Sequence, residues 1–82
     1  MDKDKWKSSA YRAFIKFARE ETKPFTAEQI RLKIGDSIEQ PNDLRWWGEV
    51  ILALKADGFL RRVSFAPAVS SHGSLKPQYR IK

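Results

Sequence analysis

Between Lys5 and Glu21 the apolar residues Trp6, Ala10, Ala13, Phe14, Phe17 and Ala18 recur at helical spacing, with Lys7, Arg12, Lys16, Arg19 and Glu20 between them. That period gathers the apolar side chains onto one stripe and predicts a first helix over about residues 5–21. Pro24 holds Lys23 extended and breaks the pattern. Thr26 followed by Gln29 then has the capping-box spacing that opens a helix, so a short second helix is expected over about 27–34. Ile30 and Ile34 form its buried stripe, Ala27 and Leu32 flank it, and Gly35 supplies a left-handed stop. Phe25 is a candidate for a very short strand.

After a turn from Asp36 to Pro41, Asn42 or Asp43 can cap a third helix over about 43–57, closed by Gly58. On its wheel Leu44, Trp47, Val50, Ile51 and Leu54 cluster on one face, Arg45, Glu49, Leu52 and Ala56 centre on the other, and Trp46 lies at the boundary. Phe59 to Phe65 alternates as a strand, 66–77 reads as a loop with Pro67, Ser70, Ser71, Gly73 and Ser74, and 78–82 alternates with Tyr79 and Ile81 inward. The chain therefore reads as one α+β domain of three helices followed by a two-stranded β-hairpin. No repeat, low-complexity tract or linker divides it.

At 82 residues the buried core is small, and three Trp, five Phe and two Tyr must supply much of it. With no cysteine and one histidine, neither a disulfide framework nor a thiolate or histidine-cluster metal site is expected. No apolar run approaches the roughly 20 residues of a bilayer span, and Met1 to Lys5 lacks the apolar stretch of a secretory signal. These features predict a soluble chain of the cytoplasm or nucleoid. The net charge of +6 is distributed unevenly. Residues 1–57 hold eleven Lys/Arg against ten Asp/Glu, whereas 58–82 hold Arg61, Arg62, Lys76, Arg80 and Lys82 with no acidic residue. Such segregation fits a phosphate-facing surface better than a solvated face kept for solubility.

The order helix, short extended piece, helix, turn, helix, strand, loop, strand resembles the winged helix-turn-helix, in which the third helix enters the major groove and the hairpin, or wing, flanks it. Within it, Pro41-Asn42-Asp43-Leu44-Arg45-Trp46-Trp47-Gly48, Val50, Ala56-Asp57-Gly58-Phe59-Leu60, Ser70-Ser71-His72-Gly73 and Tyr79 are similar to a pattern in small winged-helix proteins of phages and prophages. The resemblance implies a protein of transcription control, replication or recombination whose partner is double-stranded DNA. Those proteins often carry Arg or Lys at the middle of helix three, where this chain has Leu52 and Ala53. That departure weakens the implied base reading.

Arg45, near the start of the third helix and pointing away from Trp47, is the first candidate for a base edge or phosphate; its alternative role is an i, i+4 pair with Glu49. Glu49 can neutralise Arg45 or accept from a cytosine amino group. Trp47 reads as core, with Gly48 beside it allowing close approach of another backbone. Trp46 is either packed or open to nucleic acid or a partner, and Trp6 is core or a lid on the first helix. Arg61, Arg62, His72, Lys76, Arg80 and Lys82 are the hairpin candidates for DNA contact, His72 either bonding phosphate or shaping the turn. No nucleophile, base and orienting group occur as a set, and the four glycines are isolated, so neither an enzyme nor a cofactor or small-molecule site is expected. A membrane-surface role does not fit charge carried on a hairpin. The rival reading is a protein-interaction module using Leu52, Ala53, Ala56 and Trp46 on the outer side of the third helix, and a symmetric homodimer is compatible with either reading.

Overall fold

Asp2 starts the first helix earlier than the apolar period indicates. Its carboxylate accepts the backbone N–H groups of Asp4 and Lys5 at 2.9 and 3.2 Å, which satisfies donors left open at a helix N-terminus. In the computed structural model, which describes the backbone of residues 1–67 and 75–82 and the side chains of 1–63 and 76–82, α1 therefore runs Lys3–Ala18. It ends before Glu21, in a turn at Arg19 to Glu21. Trp6, Ala10, Phe14 and Ala18, each four residues after the last, form its buried edge.

The strand β1, Phe25–Thr26, leads directly into α2, Ala27–Ile34. Thr26 is buried, and the reciprocal capping box accounts for its polar groups. Its Oγ1 accepts the Gln29 N–H at 3.2 Å, and its own N–H donates to Gln29 Oε1 at 2.9 Å. Gly35 ends α2 at φ 48° and ψ −120°, a region open to glycine but not the left-handed helical stop expected for it. A 3₁₀ turn over Gly35–Ser37 follows. The third helix, α3, spans Arg45–Ala56 and buries Trp47, Val50 and Leu54. Leu44, expected on the buried face, is 62% exposed. It occupies the cap position one residue ahead of the first full turn, at the edge of the stripe that Trp47, Val50 and Leu54 define.

Gly58, at φ 81°, turns the chain from α3 into β2, Leu60–Pro67, which pairs antiparallel with β3, Leu75–Ile81. Both strands reach further toward the hairpin tip than expected. Pro77 is accommodated in β3 because it lies beyond the end of β1, where β3 has β2 alone as a neighbour. The connection is thus 68–74, outside the described residues, and Lys76 stands in a strand. The sheet also has three strands instead of two, in the order β1-β3-β2, since Phe25 and Thr26 pair with Tyr79 and Gln78. An extra residue at Val63 bulges β2 between the pairs Arg62–Tyr79 and Ser64–Gln78.

The helices pack on one face of this sheet, with α1 against both α2 and α3. The core between them joins Trp6, Phe14, Phe25, Ile30, Ile34, Trp47, Val50, Leu54, Leu60 and Tyr79. Each such side chain contributes about 1.5–3 kcal/mol by leaving water. Trp6 has a polar tie as well, its Nε1–H donating to the Glu39 carbonyl at 2.7 Å, which fastens the stretch ahead of α3 to α1. At the other end of α1, Glu21 pairs with Lys33 of α2.

Candidate nucleic-acid interface

Because Trp47, Val50 and Leu54 anchor α3 inward, its outer side presents Leu44, Arg45, Gly48, Leu52, Lys55 and Ala56, all exposed. Arg45 is held by Asp43. The Asp43 carboxylate accepts the Arg45 backbone N–H at 2.9 Å, its Nε–H at 3.1 and 3.0 Å, and its terminal N–H at 2.7 Å. The hydrogen bonds from Arg45 hold the Asp43 carboxyl below its ordinary range, and the same pair raises Arg45. With its side chain 90% exposed, this pair adds little stability, but it aims the guanidinium from the helix start toward solvent.

Arg45 does not pair with Glu49. Glu49 turns toward α1, where Lys3 Nζ lies 2.8 Å and Lys7 Nζ 3.4 Å from its carboxylate. The Lys3 hydrogen bond, reinforced by Lys7, lowers its pKa. A carboxylate so occupied is withdrawn from the front of α3, which corrects its expected role opposite Arg45. Trp46 is half-buried, its ring 5.7 Å from that of Trp6 with Lys3 Nζ 5.8 Å above it. Trp47 is 4% exposed and meets Trp6 edge-on at 5.1 Å. Among the described residues no backbone neighbours Gly48, since an added Cβ there would meet nothing within 4 Å. The close approach expected there has no counterpart among the described residues.

Strand alternation sorts the hairpin cations onto two faces. Leu60 and Tyr79 are buried against the helices, and their partners in register, Ile81 and Arg62, share that inner face. Arg62 thus emerges beside Tyr79, whose ring carries Lys55 Nζ at 5.7 Å. Arg61 and Arg80, partners in register, occupy the outer face with Lys76 and Lys82. All five are exposed. The structure therefore places Arg62 on the same side of the sheet as Lys55 of α3, with Tyr79 between the two elements, and it puts Arg61 and Arg80 on the other side. His72 lies outside the described residues.

Sequence reasoning missed Lys55, although a lysine in the last turn of α3, three residues ahead of the glycine that leads into the hairpin, was a usable signal. It also missed Arg31, which reaches across from α2 to lie 5.5 Å over the Trp47 ring with its Nε buried and without a hydrogen-bond partner among the described residues. Elsewhere, a groove of about 600 Å³ runs between α1 and α3, lined by residues including Lys7, Ser8, Tyr11 and Ala53. Beside it the Tyr11 hydroxyl donates to Asp57 Oδ2 at 2.6 Å, and this bond to a carboxylate pushes the phenol up to about 12. Among the described residues no three of His, Cys, Asp and Glu come together to hold a metal ion. None of the helices described is long and apolar enough to cross a membrane. Comparison with protein-family models, curated proteins and solved structures returned no match.

Proposed function

We propose that this chain is a winged-helix DNA-binding protein of the kind carried by phages and prophages, serving in transcription control, replication or recombination. In this reading α3 enters the major groove and the basic hairpin lies on the phosphate backbone. The observation that carries it is the hairpin's charge. Arg61, Arg62, Lys76, Arg80 and Lys82 are all exposed, and no acidic residue follows Asp57. Lys55 and Arg62 extend this charge to the edge of α3, and Arg45 adds a cation at its start. The rest of the outer side of α3 is Gly48, Leu52 and Ala56, which can meet thymine methyl groups and groove walls but offer no donors to bases. Affinity accordingly comes from the backbone, and Arg45 is the main source of sequence preference.

Titration of a duplex by fluorescence anisotropy across a salt series tests this reading. Four to six phosphate contacts predict roughly micromolar binding at low salt and a slope of log K against log salt of about −4 to −5. Arg45→Ala should alter the ranking of duplex sequences, whereas Lys55→Gln with Arg62→Gln should weaken all of them alike. Absence of duplex binding at low salt contradicts the proposal.

A second reading is favoured by the exposure of Leu44 and Leu52, 62% and 63%, on the outer side of α3. Apolar side chains so placed suit a protein partner or a symmetric homodimer built on that helix. Sedimentation of the free protein separates the two. A dimer that dissociates on Leu52→Glu supports the second reading, and a monomer indifferent to that substitution removes the homodimer.

A further inference from the structure

The outer face of the sheet has a composition that the fold does not require. Arg61 and Arg80 stand directly across from each other, an arrangement of like charges that weakens a strand pair. Lys76 lies on the same face of β3 as Arg80, Lys82 follows directly after the strand, and all four cations are exposed. Among the described residues none of the four enters an ion pair. The nearest acidic residue in sequence, Asp57, is engaged by the Tyr11 hydroxyl. Arg61, Arg80 and Lys82 also border an open depression of about 410 Å³ at the base of the hairpin, together with Gly58, Leu60 and Ile81.

This surface faces away from the helices. Arg62 and Lys55 lie on the side where α3 packs, while Arg61 and Arg80 point from the opposite face of the same two strands, with Lys82 just past the end of β3 and Lys76 at an edge where it also borders Ala27, Glu28 and Arg31 of α2. A straight duplex seated on α3 engages the first set fully and the second only in part, where the hairpin borders it. The row from Lys76 to Lys82 covers about 20 Å along β3. That length matches about six phosphates of one DNA strand, at 3.4 Å of helix axis each.

We propose that the outer sheet face is a second phosphate-binding surface, occupied by a separate segment of duplex DNA, so that one molecule holds two duplexes together. The inference rests on the DNA-binding reading above and adds bridging to it. The ligand is recognised by charge alone, since the face presents cations without a cleft suited to base edges. Bridging is therefore indifferent to the sequence of the second duplex and more sensitive to salt than single-duplex binding, because it needs the contacts of both surfaces at once.

The test uses the full chain and two duplexes of unlike sequence, one immobilised on beads through biotin and one fluorescent in solution. The wild-type protein should retain the fluorescent duplex on the beads. Arg61→Glu with Arg80→Glu should reduce retention by on the order of tenfold and single-duplex affinity, read by anisotropy, by a clearly smaller factor, because only the bridged complex needs the whole outer face. Arg61→Gln with Arg80→Gln serves if the double reversal melts early. Lys55→Glu with Arg62→Glu should instead lower both readouts. Three results overturn the proposal: single-duplex binding without any retention, retention that survives both outer-face variants, as a dimer bridging through its two α3 helices would show, or a parallel loss of affinity and retention in those variants. If the wild type binds no duplex at all, the DNA-binding reading itself has failed, an outcome that the anisotropy arm reports separately.

Discussion

Gly48 sits exposed in the interior of α3, where glycine is less favourable than alanine because its backbone gives up more freedom in the helix. An added methyl group would meet nothing within 4 Å. Gly48→Ala should therefore stabilise the fold by about 0.5–1 kcal/mol, visible as a higher midpoint in denaturant with an unchanged slope. A fall in the midpoint would show that the position is crowded. Tyr11 carries a second residue-scale prediction. Its hydroxyl bond to Asp57 raises the phenol from an ordinary 10.0 to about 12, so the folded state keeps a proton that the unfolded state releases above pH 10. The bond's contribution is complete below pH 10 and is lost as pH rises from 10 to 12. Thermal melts of wild type and Tyr11→Phe should differ below pH 10 and converge by pH 12, and a difference constant across that window would sink the assignment.

At the scale of elements, the buried stripes of α1 and α2 and the capping box between Thr26 and Gln29 were legible in the sequence, because they depend on neighbours within one or two turns. The pairing of Phe25 with Tyr79 was not, since a two-residue strand has no period of its own and acquires its partner only when the chain folds back. Glu49 shows the same limit. The helical spacing offered Arg45 as its partner, but Asp43 captured Arg45 locally and the α1 lysines captured Glu49 from a distant part of the chain. Within the hairpin, alternation alone separates Arg61 from Arg62. What the sequence did not reveal is that β3 lies in the middle of the sheet and that the helices cover one side, which turns alternation into two surfaces of different reach. For α3 the account predicts that Leu52→Glu, at a site 63% exposed, changes stability by less than about 0.5 kcal/mol. It should nevertheless weaken duplex binding by placing a carboxylate against phosphates. Unchanged affinity would mean that α3 does not face the DNA.

For the molecule as a whole, the placement of charge organises the account. The acidic residues are confined to the part of the chain that forms the helices and their connections, where Asp2 caps α1, Asp43 holds Arg45, Glu49 binds Lys3 and Lys7, and Asp57 receives Tyr11. The hairpin has none, so its cations stay exposed at the edge of a small aromatic core. Titration of an isotopically labelled chain with a short duplex, followed by backbone amide chemical shifts, tests this arrangement most directly. The account predicts that the largest changes fall at Arg45, Gly48, Leu52, Lys55 and Arg62 and along the hairpin, while the groove between α1 and α3 around Ser8 and Ala53 stays still. Changes centred on that groove, or none at all at low salt, would contradict it.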